Sequence, residues 1–543
     1  MKKISIFHQV FKIEQILKKT LKLLILIYLM QKSVNKYIPL LLITIACIIG
    51  IAASIWSYSN NYITVYADGV SHLNIARRVV DNLQPGIVQI GGSWLPLYHI
   101  VLIPFVQSDF LWHSGLAGTF VSVLSFITAS IFLHLIINMV TKSKLFALLG
   151  SIAFLLTPDI FYMATTPMTE VFTVALLLGA SFFLLKWIYE DNGEYLIVSS
   201  FFAFAGILTR YEVWFYAVIS VIIVSLIAFR KHKNLGDVEG TTILYGFPLI
   251  LAFLVWFGWN TLIFHDPFYF MHGNFSARAY QIPLEQSGQL PTKGNIVNAA
   301  YYYFQALLFT NGELYVWFAI LGFLLFYILN FKKYKYWVLI ALIGPILFEI
   351  ISLNSGSTAL WLPNLFPFKM YNIRYGIYGS IFTFVFLPLL FYRLKRFGIL
   401  LFVCTIFIQL WFFSHMGLPI TLRDALIGRT DYNGKSILEG AAYIKDNYKS
   451  GLILAPAGAL DPLIFSSGLP NRTFITEGAK KYWDASLKNP DKYASWIVMT
   501  DVGNGVNIHD GIQEAVSKNK KLLKNYNKVY DKGAVIIYRR KDR

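Results

Sequence analysis

Apolar residues fill this chain in long stretches near the roughly 20 residues a helix needs to cross a bilayer, with short polar turns between them. Eleven such stretches lie near residues 37–57, 115–140, 145–158, 169–188, 195–209, 213–229, 241–263, 313–331, 336–353, 373–392 and 397–415. The third and fifth are short for a span. The pattern predicts an α-helical polytopic membrane protein over 37–415. It changes near residue 416, where GLILAPAGA, ASWIVMTDV and GAVIIYRR are short apolar runs between helix-like segments such as ILEGAAYIKDNY and IQEAVSKNKKLLKNY. Strand and helix patterns that alternate in this way predict a small α/β domain over 416–543. Residues 1–36 are rich in Lys, and their apolar run, LLILIYL, is too short to span; they read as an amphipathic extension.

Composition supports the membrane reading. The chain has 543 residues, 56% hydrophobic and 14% charged, outside the range of soluble domains. A net charge of +18 would suit nucleic acid, but the basic residues cluster in the turns TKSK, RKHK, KKYK and RLKR, after the second, sixth, eighth and tenth stretches. The positive-inside bias explains them and assigns that side to the cytoplasm. The amino terminus is then cytoplasmic. The first loop, 58–114, and the carboxy-terminal domain are extracytoplasmic. Cys47 and Cys404 both lie in apolar stretches and offer neither a disulfide framework nor a CxxC metal site.

Candidate chemistry concentrates in the first loop, in YADGVSHLNIARRVVDNLQPGIVQIGGSWLPLYH at 66–99. Asp68 and His72 are spaced i, i+4 and share one face of a helix. Asp68 reads as a general base beside a substrate groove or as a helix cap. His72, Arg77 and Arg78 form a cationic cluster suited to a lipid-linked phosphate or to ordinary headgroups. PGIVQIGGSWLPLYH reads as a re-entrant or interfacial stretch; in it Trp94 would stack on a sugar or anchor the interface, and His99 ends the segment on the substrate side.

Asp159 and Glu170 flank the next turn, TPDIFYMATTPMTE, where they would orient an acceptor or hold a divalent metal; Glu170 alternatively caps its helix. Arg210 and Glu212, in a turn with few other polar groups, must pair or face water, because their desolvation costs several kcal/mol. Asp266, His272, Arg278, Lys369 and Arg374 follow in later loops, the basic ones suited to a phosphate leaving group. Glu349 is an acid within a span.

ADGVSHLNIARRV, PGIVQIGGSWLPLYH, TPMTE, LTRYEVW and the DPFYF and SARA segments together resemble membrane glycosyltransferases of the GT-C fold. The resemblance is to the prokaryotic, family 39-like branch of the dolichyl-phosphate-mannose protein mannosyltransferase group and, more distantly, to aminoarabinose transferase. It implies a catalytic carboxylate in the first outer loop, a polyprenyl-phosphate sugar donor, and inverting transfer on the outer face. By position Asp68 is that carboxylate, Asp159 or Glu170 the second acid, and Arg374 a phosphate contact. The sequence departs from the eukaryotic O-mannosyltransferases, which carry an Asp-Glu pair where Asp68 precedes Gly69, and from oligosaccharyltransferases, having no WWDYG-type motif. The expected partners are the lipid-linked donor, membrane lipids, and an acceptor that is a protein, lipid or glycan; no nucleic acid is expected. A metal requirement stays open. The rival readings are a transporter or lipid flippase, and a non-catalytic scaffold presenting the outer domain.

Overall fold

The computed structural model describes residues 37–232, 234–501 and 509–541. The amphipathic extension expected over 1–36 lies outside the described residues. All eleven apolar stretches are largely helical. Nine helices among the described residues are long and apolar enough to cross a membrane, from Ile38–Ser59 to Lys395–Thr430. The two short stretches form the helices Lys144–Leu155 and Gly193–Ile207, below that length.

Burial ranks the helices. Ile373–Tyr392 is the most enclosed, 83% buried, and runs through the main apolar core with Leu116–Thr141 and Glu170–Glu190. Leu235–Phe264, only 22% buried, lies at the periphery and presents Leu, Ile and Phe side chains outward, as a lipid-facing helix does. Small residues permit the closest approaches. A Cβ on Gly118 would stand 2.2 Å from Pro167 Cβ, so Leu116–Thr141 packs directly on the TTP turn. Thr119 and Ser122 then donate hydrogen bonds to the carbonyls of Thr165 and Thr166, at 2.6 and 2.7 Å.

The basic turns gather at one end of the helical body. Lys142 and Lys335 both lie over the Tyr189 ring, at 4.7 and 4.8 Å, and Arg230 lies 5.7 Å from Trp337. The first loop and the turns bearing Glu170 and Arg210 lie at the opposite ends of these helices.

The carboxy-terminal domain holds a five-stranded mixed sheet: β1 (Ile453–Leu454), β2 (Phe474–Ile475), β3 (Trp496–Thr500), β4 (Tyr526–Lys532) and β5 (Val535–Arg540), in the order β2-β1-β3-β5-β4. β1 is parallel to β2 and β3, and β5 is antiparallel to β3 and β4. The three apolar runs seen in the sequence are β1, β3 and β5. β2, two residues long, and the polar edge strand β4 carry too weak a pattern to be read in advance. The helix Ile420–Thr430, beyond the expected boundary at 416, buries Leu422 and Ala425 in the main core of the helical body. The sheet domain's own core starts later, with Ile437 and Ala441.

Candidate active site

The first-loop helix, Ala67–Arg78, starts after Tyr66, which occupies the cap position and makes no side-chain cap. Asp68 is therefore inside the first turn, where the helix dipole favours its negative charge, and its carboxylate is free of capping. Oδ2 accepts a 2.5 Å hydrogen bond from Arg374 Nη2. The same guanidinium donates from Nε to Glu170 Oε1 at 3.1 Å. One arginine thus joins two acids that are 306 and 204 residues away from it in sequence.

Their environments differ. Glu170 is fully buried at the start of its helix, whereas the Asp68 side chain is 42% exposed and reaches a cavity of about 280 Å³. Arg374, 7% exposed, lies between them with its guanidinium 5.0 Å from the Tyr66 ring and 5.4 Å from the Tyr375 ring. Among the described residues no hydrogen bond uses its Nη1. Gly69 fits the Asp68 helix to the TPMTE turn, since a Cβ there would stand 2.9 Å from Pro167 Cγ.

The cavity joins Asp68 and Arg374 to Asp424 and Arg429 from the helix Ile420–Thr430, and to Pro462 and Phe465 from the sheet domain. Asp424 accepts from the Ile373 amide at 3.2 Å and so fixes the turn that aims Arg374. Tyr66 donates to the Thr421 carbonyl at 2.6 Å. Asp424 and Tyr66 were not anticipated. The clue to Asp424 is TLRDAL, whose polar composition resembles that of the outer domain although its backbone belongs to the helical body.

Other candidates lie elsewhere. Asp159 is buried away from the cavity, and its Oδ1 accepts from the amide and hydroxyl of Thr421 at 2.8 and 2.7 Å, tying down the Ile420–Thr430 helix. Burial pushes its carboxyl up from 3.8 to about 7, against the Thr421 hydrogen bonds that pull it down. The folded state therefore holds this proton more tightly than the unfolded chain does. The resulting stabilisation is complete below about pH 4 and is lost as pH rises through about 7, an effect of the order of 4 kcal/mol. The Asp159→Asn variant keeps an oxygen for Thr421 and cannot ionise. Thermal unfolding at pH 5 and pH 8 should show the wild type losing more stability than this variant; equal losses would remove Asp159 from the account.

His72, expected in a cationic cluster with Arg77 and Arg78, instead meets His99. Both are buried, with His72 Nδ1 2.8 Å from His99 Nε2, and Trp94 packs 4.5 Å from the His72 ring. Burial holds both imidazoles low, His72 well below its ordinary value and His99 at about 3, so they are neutral and bring no positive charge to a phosphate. Trp94 is half-buried. Arg77 is committed to the protein itself: it donates to Asp81 at 3.1 Å, to the carbonyls of Val106 and Gln107 at 2.7 and 2.9 Å, and to Asp109 at 2.6 Å. Arg78 pairs with Asp461 of the sheet domain at 2.6 Å, so it docks that domain on the first loop. Both arginines are thus engaged by acceptors of the protein itself, Asp81 and Asp461 buried and Asp109 exposed.

Arg210 and Glu212 pair at 2.5 Å, and the Arg210 guanidinium lies 5.9 Å from the Tyr375 ring that also meets Arg374. Arg278 is separate, bound to the Gly356 carbonyl at 2.9 Å and to Glu285. Tyr211 and Trp259 donate to the carbonyls of Ser93 and Gly91, both at 2.8 Å, which anchors the glycine-rich stretch of the first loop. No group of three or more His, Cys, Asp or Glu side chains among the described residues could hold a metal ion.

No family model and no curated protein matches the sequence. The fold does have solved counterparts and is that of a GT-C membrane protein. The chain is similar to ArnT from Cupriavidus metallidurans bound to undecaprenyl phosphate, with a TM-score of 0.52 and 11% identity over 92% of this chain and 97% of that one. The apo structure of ArnT from Cupriavidus metallidurans is matched with a TM-score of 0.45 and 13% identity, over 93% and 98% of the two chains.

Proposed function

We propose that this protein is a membrane glycosyltransferase that moves a sugar from a polyprenyl-phosphate donor to an acceptor hydroxyl, with inversion. The observation that carries the reading is the junction of Asp68, Arg374 and Glu170 at the cavity, three residues from distant parts of the chain. The undecaprenyl phosphate bound to ArnT supports a lipid-phosphate donor in the shared fold.

The chemistry asks for little more. Asp68 takes the acceptor proton as the acceptor oxygen bonds to the anomeric carbon, and the bond from that carbon to the phosphate oxygen breaks. The electron pair leaves with the polyprenyl phosphate. Arg374, with Nη1 uncommitted among the described residues, receives the developing charge in a site whose partners are already fixed. Glu170 is the second acid of this reading, because it holds Arg374 in place, and Asp159 belongs to the scaffold. The donor phosphate also competes with Asp68 for Arg374.

The test supplies purified protein with a radiolabelled polyprenyl-phosphate sugar and follows the label. The expected result is cleavage of the sugar–phosphate bond, with the label passing to an acceptor or to water. An intact donor that the reconstituted protein carries across vesicles would replace this reading with transport.

A further inference from the structure

A second concave site lies wholly within the sheet domain. The parallel strands β1, β2 and β3 run toward the helical body. Past their carboxy-terminal ends Gly458 accepts from Tyr280 at 3.1 Å, Gly478 accepts from Gln89 at 2.9 Å, and His509 meets Asn274 at 3.1 Å. The other end of β3 holds Trp496, paired in register with Arg539 at the end of the antiparallel β5. There a cleft of about 640 Å³ is lined by Lys449, Lys492, Arg539, Arg540 and Lys541, with Asp491 the one acid among the described lining residues. The five residues of β3 set it about 16 Å from the end that faces the loops.

Among the described lining residues the cations outnumber the acids five to one. Asp491 directs its carboxylate to Asn525 at 2.8 Å and gives Arg540 its backbone carbonyl, also at 2.8 Å. Arg540 is thereby oriented by a neutral acceptor. Arg539 is held 5.4 Å from the Trp496 ring. Among the described residues Lys449, Lys492, Arg540 and Lys541 form no ion pair, whereas Lys528 of the same domain pairs with Asp531 at 2.7 Å. Clustered, oriented cations in a concave site favour an anion. The volume falls in the range of small-molecule sites and admits a short saccharide segment. A lipid headgroup is disfavoured because the cleft opens away from the loops and the apolar helices. A single buried indole gives nucleobases no stacking platform.

We infer that this cleft binds an anionic oligosaccharide, one whose sugars carry carboxylate or phosphate groups. The inference depends on the sheet domain alone and is independent of the role given to Asp68. The test uses the full-length protein in neutral detergent, with fluorescently labelled oligogalacturonate as the probe and anisotropy as the readout. Binding should weaken with added salt and with inorganic phosphate but not with neutral dextran. In the Lys449→Glu/Lys492→Glu variant it should weaken tenfold or more, at unchanged melting temperature, as expected for the loss of charge-assisted bonds. Both lysines are exposed, so folding should survive. Equal affinity in the variant, displacement by dextran, or no binding of oligogalacturonate would overturn the inference. Stronger competition by phosphatidylglycerol micelles than by phosphate would overturn it too, in favour of a lipid surface.

Discussion

Asp68→Asn should reduce sugar transfer by roughly 10²–10⁴-fold, the usual contribution of a positioned general base, while donor binding changes little. The substitution preserves shape and leaves an oxygen for Arg374 Nη2, so the 2.5 Å contact has a neutral counterpart. Because the Asp68 side chain is 42% exposed, the lost ion pair should cost about 1 kcal/mol of stability or less. Folding and catalysis are therefore separable at this position. Single-turnover cleavage of a radiolabelled donor, together with donor affinity from equilibrium binding, checks the claim. Retained turnover would exclude Asp68 as the base, and lost affinity would make it a binding residue instead.

Arg374→Gln should be damaging in another way. Glu170 is fully buried, and Arg374 is the side chain that pairs with its carboxylate, so the substitution leaves a charge in the interior without its counterion. Breaking a buried pair in this way costs about 3–5 kcal/mol. Adding Glu170→Gln removes the stranded charge, and the double variant should recover much of the lost thermal stability. Transfer should recover in neither, because both lack the cation proposed to meet the phosphate. A double variant as unstable as the single one would mean that the pair contributes through packing alone. Recovered transfer would remove Arg374 from the reaction.

These expectations rest unequally on the sequence. The apolar stretches were legible because bilayer thickness imposes a length on every spanning helix, and Lys144–Leu155 and Gly193–Ile207 drew notice for falling short of it. Asp68, Glu170 and Arg374 drew notice as polar groups beside apolar helices, where each needs a physical reason. Their junction was hidden, because nothing local marks contacts that span more than 200 residues. Hidden partners also account for Arg77 and Arg78. Each looks free in ARRVVD, yet Asp81 and Asp109 take up one and Asp461 the other. His72 looked cationic for the same reason, since its contact with His99 and its burial arise in the folded protein. Asp424 was missed because its helix is polar in composition but packed in the main core.

The cavity's walls come from residues 64 to 466, so its parts are made far apart in time. On the ribosome, Asp68 emerges early, and Pro462 and Phe465 follow roughly 400 residues later. A chain interrupted before that point has the helices but an unwalled cleft, with Arg78 lacking its Asp461 counterion. The order of synthesis thereby keeps incomplete copies from presenting a finished cavity.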